Sequence, residues 1–251
     1  MANFESLKEI IDGSSNIVFF GGAGVSTESG IPDFRSEAGL YKAQQEYGRS
    51  PESIISHSSF MADPALFYAY YKGNMIFPDA QPNNAHKALA KLERDGKLSA
   101  VVTQNIDGLH DAAGSACVRE LHGSVHRNYC LSCGAKFGLG YILDAANCVD
   151  SAGKQTSVPY CNLCGGMVRP DVVLYEEALD ENVVEDAVNA IAAADTLIVG
   201  GTSLVVYPAA GYLGYFHGGT LVLVNKSETG YDSKADLVIR EPIAEVFSEF
   251  L

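Results

Sequence analysis

Asn16-Ile17-Val18-Phe19-Phe20 runs without a break into Gly21-Gly22-Ala23-Gly24-Val25-Ser26-Thr27, and this junction decides the fold. The first half is apolar and β-branched, which suits a strand buried on both faces. Glycines directly after such a strand let the backbone approach a pyrophosphate, whose charge is then met by free N–H groups at the following helix start. A third glycine is missing, Thr27 standing in its place, so this turn by itself fits a purely structural role equally well.

Further short apolar runs follow outward from this one: Ala100 to Thr103, Thr196 to Val199, Thr220 to Val224 and Asp236 to Ile239. Helical patterns separate them. Asn84 to Leu92 places Ala85, Ala88, Leu89 and Leu92 on one face, with Gly96 as a stop; Glu181 to Ala194 repeats Val184, Ala187, Val188 and Ile191. This alternation predicts an α/β fold, a doubly wound and mostly parallel sheet. Two stretches break the rhythm. Residues 36–83 are aromatic and lack strand runs, which reads as a helical insertion packed by Phe60, Phe67, Tyr68, Tyr71, Met75 and Phe77. Residues 125–168 hold the paired cysteines.

The 251 residues are 47% hydrophobic and 19% charged, enough for one well-buried domain or a large domain with a small satellite. Asp and Glu number 31 against 17 Lys and Arg, a formal charge of -14. A basic footprint for phosphates is lacking, so direct nucleic-acid binding is not expected. No run approaches the roughly 18 apolar residues of a membrane span, and Met1-Ala2-Asn3-Phe4-Glu5-Ser6 has no secretory pattern. The expectation is a cytoplasmic monomer with no membrane partner.

The cysteines come as Cys130-Leu131-Ser132-Cys133 and Cys161-Asn162-Leu163-Cys164. Each Cys-x-x-Cys turn puts two thiolates on one side of a knuckle, and two knuckles supply the tetrahedral sulfur shell of zinc. The gap of 27 residues between the knuckles is long. Lengthening a flexible loop by half costs only about 0.4 kcal/mol in closure entropy, against roughly 10 kcal/mol from structural zinc binding. Four sulfur ligands leave no open coordination position, so this zinc holds a module together and does no chemistry. Cys117 and Cys148 have no such partner and read as ordinary thiols.

A second glycine turn, Val199-Gly200-Gly201-Thr202-Ser203, again follows an apolar strand, and Asn225 closes the run Leu221 to Val224. In an open α/β sheet ligands bind beyond the carboxyl ends of the strands, where both turns and Asn225 fall. Ser29-Gly30-Ile31-Pro32-Asp33-Phe34-Arg35 reads as a lid, with Arg35 near phosphate or ribose. Thr103-Gln104-Asn105-Ile106-Asp107-Gly108-Leu109-His110 and Leu121-His122-Gly123-Ser124 place amides, a carboxylate and imidazoles at strand ends, which is poor core material. His122, with a free pKa of about 6.5, can act as a base at neutral pH.

Together, residues 22–35 (GAGVSTESGIPDFR), 103–110 (TQNIDGLH), 121–124 (LHGS), the cysteine pairs and 201–210 (GTSLVVYPAA) closely resemble the sirtuins, NAD-dependent protein lysine deacylases. The resemblance runs in order from Ile17 to Ile239. It implies one catalytic domain. A Rossmann-like large part would comprise about 1–35, 84–124 and 169–251, and a smaller part would join the helical insertion, about 36–83, to a zinc-ribbon module, about 125–168, held by Cys130, Cys133, Cys161 and Cys164. NAD, consumed as a co-substrate, would lie against Gly22, Ala23, Gly24, Ser26, Thr27, Asp33, Phe34, Arg35, Gln104, Gly201, Thr202, Ser203 and Asn225. Asn105, Ile106 and Asp107 would form the nicotinamide pocket, and His122 matches the family's general base.

The mechanism that this resemblance implies begins with loss of nicotinamide, a cationic leaving group. The acyl oxygen of a modified lysine attacks the ribose C1′, and His122 then takes a proton from a ribose hydroxyl. Nicotinamide, free lysine and 2′-O-acyl-ADP-ribose result. Arg169 to Glu177 matches the stretch that pairs with the substrate backbone, Val172 and Val173 included. Glu176 stands where many relatives have glycine. Relatives that remove succinyl groups carry Tyr-x-x-Arg in the insertion; here Tyr68-Ala69-Tyr70-Tyr71 offers Tyr68 and Tyr71 to the acyl group but no cation. An unpaired carboxylate there is costly, so acetyl and other uncharged acyl groups are expected on the acyl-lysine protein or peptide partner. Two rival readings are a protein mono-ADP-ribosyltransferase, which hands ADP-ribose to a protein, and an NAD-binding sensor without turnover.

Overall fold

The computed structural model describes residues 4–32 and 44–251, together with the backbone of residues 2 and 3. Asp33, Phe34 and Arg35, and the start of the helical insertion, lie outside the described residues. Six strands form one parallel sheet: β1 (Ile17–Gly21), β2 (Leu98–Thr103), β3 (Val118–Glu120), β7 (Thr196–Gly200), β8 (Thr220–Val224) and β9 (Leu237–Ile239). Their spatial order is β3-β2-β1-β7-β8-β9. Taken within this sheet alone it is the order 3-2-1-4-5-6 of the doubly wound fold, with the reversal between β1 and β7.

Alternation along β1 shows why the strand is apolar throughout. Ile17 and Phe19 enter one core with α1 (Ala2–Gly13), α5 (Asn84–Arg94) and α9 (Ile243–Ser248), while Val18 and Phe20 enter a second core with α8 (Glu181–Ala193). Each side chain is fully buried, worth about 1.5–3 kcal/mol apiece. Helix α5 begins at Asn83, whose side chain accepts from the Ala85 amide, and ends before Gly96, whose φ of +74° breaks the helix. Helix α8 starts with Asp180 accepting from Asn182 and Val183.

The rest of the chain builds a second lobe. The insertion supplies α2 (Pro51–Ile54), α3 (His57–Ala62) and α4 (Pro64–Asn74); the cysteine segment supplies β4 (Gly123–Cys130), β5 (Lys136–Gly138) and α7 (Leu139–Leu143). With β6 (Val168–Val172) these strands form an antiparallel sheet, β5-β4-β6. Ile54, Phe60, Phe67, Tyr68 and Tyr71 share one core with Val125, Cys130, Ile142, Val158 and Val168. The two stretches that interrupt the strand rhythm therefore fold on each other. Gly123, at φ +76°, turns the chain from the parallel sheet into β4; a Cβ there would lie 2.0 Å from the Asp171 carbonyl oxygen. Among the described residues no helix is long and apolar enough to cross a membrane.

Candidate functional site

The two glycine turns meet at the reversal point. Gly22 N donates to Gly200 O at 3.3 Å and Gly24 N to Gly201 O at 2.8 Å. Gly201 has φ +57°, and a Cβ on it would sit 2.3 Å from the Val25 nitrogen. These glycines are required by the approach of one turn to the other. The expected helix start is absent: residues 23–25 and 27–29 form two 3-10 turns ending at Gly30, φ +86°. The amides of Gly22, Gly24, Val25 and Ser26 already donate within this assembly, so they are not the free N–H groups anticipated for phosphate.

Beyond the carboxyl end of β2 a hydrogen-bonded chain crosses from one strand end to another. Asn105 Nδ2 donates to Ser26 Oγ at 3.0 Å, and Ser26 Oγ donates to Asp107 Oδ2 at 2.6 Å. The Leu109 amide, at the start of α6 (Leu109–Ala112), donates to Asp107 Oδ1 at 2.9 Å. Burial pushes the Asp107 carboxyl above the usual carboxylate range, and the bonds from Ser26 and Leu109 oppose that shift. Gln104 Nε2 donates to Thr202 Oγ1 at 3.1 Å, tying β2 to the second glycine turn.

His122 lies just before β4. Its Nδ1 is 2.9 Å from the Gln104 carbonyl oxygen. A carbonyl only accepts, so Nδ1 carries the proton of the neutral ring and the basic lone pair is on Nε2.

These groups wall a cavity of about 230 Å³ between the lobes. Ala23, Ser26, Gln104, Asn105, Ile106, Asp107 and His122 line one side; Ile55, Tyr71, Met75 and Phe77 line another, and Val172 to Glu177 a third. Met75 and Phe77, read from the sequence as packing residues, face this cavity. Gly22, Gly24, Thr27, Gly201, Thr202 and Ser203 stand at the adjoining turns rather than in its wall, and Asn225 follows the end of β8. Tyr68, expected beside the acyl group, is elsewhere: it is fully buried in the lobe core, and its hydroxyl donates to the Val168 carbonyl. The rotation of α4 presents Tyr71, one turn on, to the cavity. No lysine or arginine lines the cavity among the described residues.

The segment after β6 is fixed by contacts that the sequence did not reveal. Glu177 accepts from both Arg169 guanidinium nitrogens at 2.8 and 2.9 Å, from the Leu174 amide at 3.0 Å, and its Oε1 is 2.8 Å from His57 Nδ1. Burial alone would raise this carboxyl, but the Arg169, Leu174 and His57 bonds outweigh it and hold the group at about 2. Glu176 adopts φ +77°, the left-handed conformation that glycine favours, and its carboxylate accepts from Ser58 N and Ser58 Oγ, both at 2.9 Å. The glycine departure thus keeps the turn and adds a tie to α3. Arg169 to Val172 pair with β4 as β6, so only the portion from Val173 onward lies outside that sheet.

Cys130, Cys133, Cys161 and Cys164 converge in the small lobe, their ligand atoms all within 4.8 Å of one another. The closest sulfur pairs are 3.5 and 3.7 Å apart. A tetrahedral zinc with bonds of about 2.3 Å needs sulfur separations of about 3.8 Å, so the set fits one ion. Amides of Ser132 and Leu163 donate to Cys130 and Cys161 sulfurs at 3.4 Å, the outer bonds of two knuckles. Cys117 and Cys148 lie outside the cluster.

Comparison with known proteins places this geometry in context. The model of the Sir2 family matches residues 22–208. An NAD-dependent protein deacetylase of Clostridium acetobutylicum is 57% identical over 240 residues, covering 96% of this chain and 94% of that protein. A solved Sir2 with a deacetylated p53 peptide and 3′-O-acetyl-ADP-ribose is 37% identical, covers 99% of this chain and 96% of its own, and superposes with a TM-score of 0.85. A solved complex of a Sir2 homolog with NAD is 38% identical, covers 98% of this chain and 91% of its own, and gives 0.83.

Proposed function

The chain belongs to the Sir2 family, and from that premise we propose that it removes acetyl and other uncharged acyl groups from protein lysines. NAD and one water are consumed, and nicotinamide, 2′-O-acetyl-ADP-ribose and free lysine are released. The observation that carries this reading is His122 in the cavity wall, its Nδ1 held by the Gln104 carbonyl at 2.9 Å. That contact fixes both the tautomer and the orientation of the ring, so Nε2 is the atom that takes a proton from a ribose hydroxyl.

NAD, when bound, supplies a glycosidic bond to a cationic leaving group. Asn105, Ile106 and Asp107 hold the carboxamide of that group. Ser26, bonded to both Asn105 and Asp107, keeps their side chains aimed. Gly22, Ala23, Gly24, Thr27, Gly201, Thr202, Ser203 and Asn225 bind the remainder of the cofactor at the switch point, with Asp33, Phe34 and Arg35 covering it. Val172 and Val173 offer backbone groups to the substrate. Tyr71, Met75 and Phe77 give the acyl group an apolar wall without a cation, which favours acetyl over succinyl.

On this reading the chain acts as a single catalytic domain, with its large part in three segments (about 1–35, 84–124 and 169–251), its insertion at about 36–83 and its zinc module at about 125–168. It works in the cytoplasm as a monomer on acetyl-lysine proteins, without binding nucleic acid or membrane. The zinc shapes the small lobe and takes no part in the reaction.

Mass spectrometry after incubation with NAD and an acetylated peptide tests the proposal. Loss of the acetyl group with release of O-acetyl-ADP-ribose is expected. ADP-ribose attached to peptide or enzyme, with the acetyl group retained, would replace it with a transferase.

A further inference from the structure

Helix α8 carries an apolar stripe that the core does not absorb. Ala187 and Ile191 are fully buried under the parallel sheet, but Val184 and Val188, one helical step round, are only partly covered. They form one wall of a groove whose other wall is Pro208, Tyr212 and Tyr215, the last of these 51% exposed.

The groove is a direct continuation of the substrate cavity. Glu177 lines both. On one side the chain passes from Glu177 in the cavity wall to Ala178 and Leu179 in the groove; on the other it passes from Tyr207 to Pro208. A polypeptide leaving the cavity past Glu177 and Tyr207 therefore meets an apolar channel.

The rim has one sign of charge. Residues 176–186 hold six carboxylates and no lysine or arginine. Four are engaged: Glu176 with Ser58, Glu177 with Arg169 and His57, Asp180 as the cap of α8, and Asp186 with Arg119. Glu181 and Glu185, one turn apart on α8 and both lining the groove, have no ion pair or hydrogen bond among the described residues. No cation lines the groove among those residues. A second copy of this chain, itself at -14, is repelled by such a rim.

Resting on the deacylase reading of the adjoining cavity, we infer that this groove is a second docking site for the protein substrate. It takes a segment several residues from the acyl-lysine that bears an apolar or aromatic anchor flanked by lysine or arginine. The anchor packs between Val184, Val188 and Tyr215, while the cations face Glu181 and Glu185. Selectivity among substrates then resides away from the modified lysine, whose immediate neighbours contribute mainly backbone pairing.

Steady-state deacetylation tests this with three acetyl-lysine peptides: a short one, and two long ones extended by either a Lys- and Leu-rich or a Glu- and Ser-rich segment. The basic, apolar extension is expected to lower KM about tenfold relative to the acidic one, an advantage that shrinks as salt rises. In the Glu181→Lys/Glu185→Lys variant, and independently in Tyr215→Ser, that advantage disappears while turnover of the short peptide is unchanged. Equal KM for the two long peptides, or an advantage that survives both variants, overturns the inference. Failure of wild-type protein to turn over the short peptide instead contradicts the deacylase reading. The groove is then read by fluorescence anisotropy of the unacetylated basic peptide, which must bind wild type more tightly than the double variant. Self-association abolished by the double variant would assign the groove to a second copy and likewise overturn it.

Discussion

Ser26 Oγ donates to Asp107 Oδ2 at 2.6 Å while accepting from Asn105 Nδ2 at 3.0 Å. One hydroxyl from the first glycine turn thus orients two side chains delivered by the end of β2. Removing it leaves the buried Asn105 amide and the half-buried Asp107 carboxylate each short of a partner, at about 1.5–3 kcal/mol for a bond to a charged group. Ser26→Ala is expected to lower kcat/KM for deacetylation roughly 10- to 100-fold, with a fall in stability of up to about 3 kcal/mol and zinc content unchanged. An unaltered kcat/KM would remove the hydroxyl from any positioning role.

Acyl selectivity follows from the cavity wall. Tyr71 presents an aromatic ring there, its buried hydroxyl has no hydrogen-bond partner among the described residues, and burial pushes that phenol far up. A succinyl carboxylate entering beside it meets no cation among the described residues. The expected ratio of kcat/KM for acetyl- over succinyl-lysine peptide is about 100 or more, corresponding to the roughly 3 kcal/mol of an unpaired buried charge. Comparable turnover of the two peptides would contradict this account of the pocket.

Glu176 separates backbone strain from side-chain ties. Glu176→Ala keeps the left-handed conformation and loses both bonds to Ser58, so it should cost about 1 kcal/mol. Glu176→Gly loses the same bonds but relieves the strain, and should lie within about 0.5 kcal/mol of wild type. Denaturant titration of the three proteins checks the order; alanine as stable as glycine would show that the turn carries no strain.

Two imidazoles make the large lobe acid-sensitive. His86 and His110 are buried with ring centroids 4.7 Å apart, and burial holds His86 at about 4 and His110 well below its ordinary value. His86 Nδ1 also accepts the Asn83 amide at the start of α5, a bond that its protonation breaks. The unfolded chain therefore binds protons that the folded chain refuses. Stability is fully present above pH 6.5 and falls between 6.5 and 4, by about 3 kcal/mol for His86. Denaturant midpoints at pH 7, 5.5 and 4 should show this loss, reduced in His86→Gln; a flat profile would mean that the rings find partners when protonated.

Strands β1, β2, β7 and β8 were legible because burial on both faces leaves an apolar run with no alternation to misread. β3 was not: Val118-Arg119-Glu120 is three residues at the sheet edge, half-buried and mostly polar. β4 hid for another reason, since its register to β6 shifts between Ser124 and Asn128 and destroys the period of two. In the site, Gln104, Asn105, Asp107 and His122 stood out as polar groups at strand ends. Tyr68 was misplaced because the spacing of an aromatic helix does not say which face meets the cavity. The Glu177 network escaped notice because His57 lies 120 residues away and no local pattern links them.

The most direct test of the account is nicotinamide release from NAD, measured with and without an acetyl-lysine peptide, in wild type and in His122→Ala. Release by wild type that depends on the peptide and yields O-acetyl-ADP-ribose, with no deacetylated product from a folded, zinc-loaded His122→Ala, is the predicted result. Deacetylation that continues at wild-type rate without the imidazole, or nicotinamide release indifferent to the acetyl group, would contradict it.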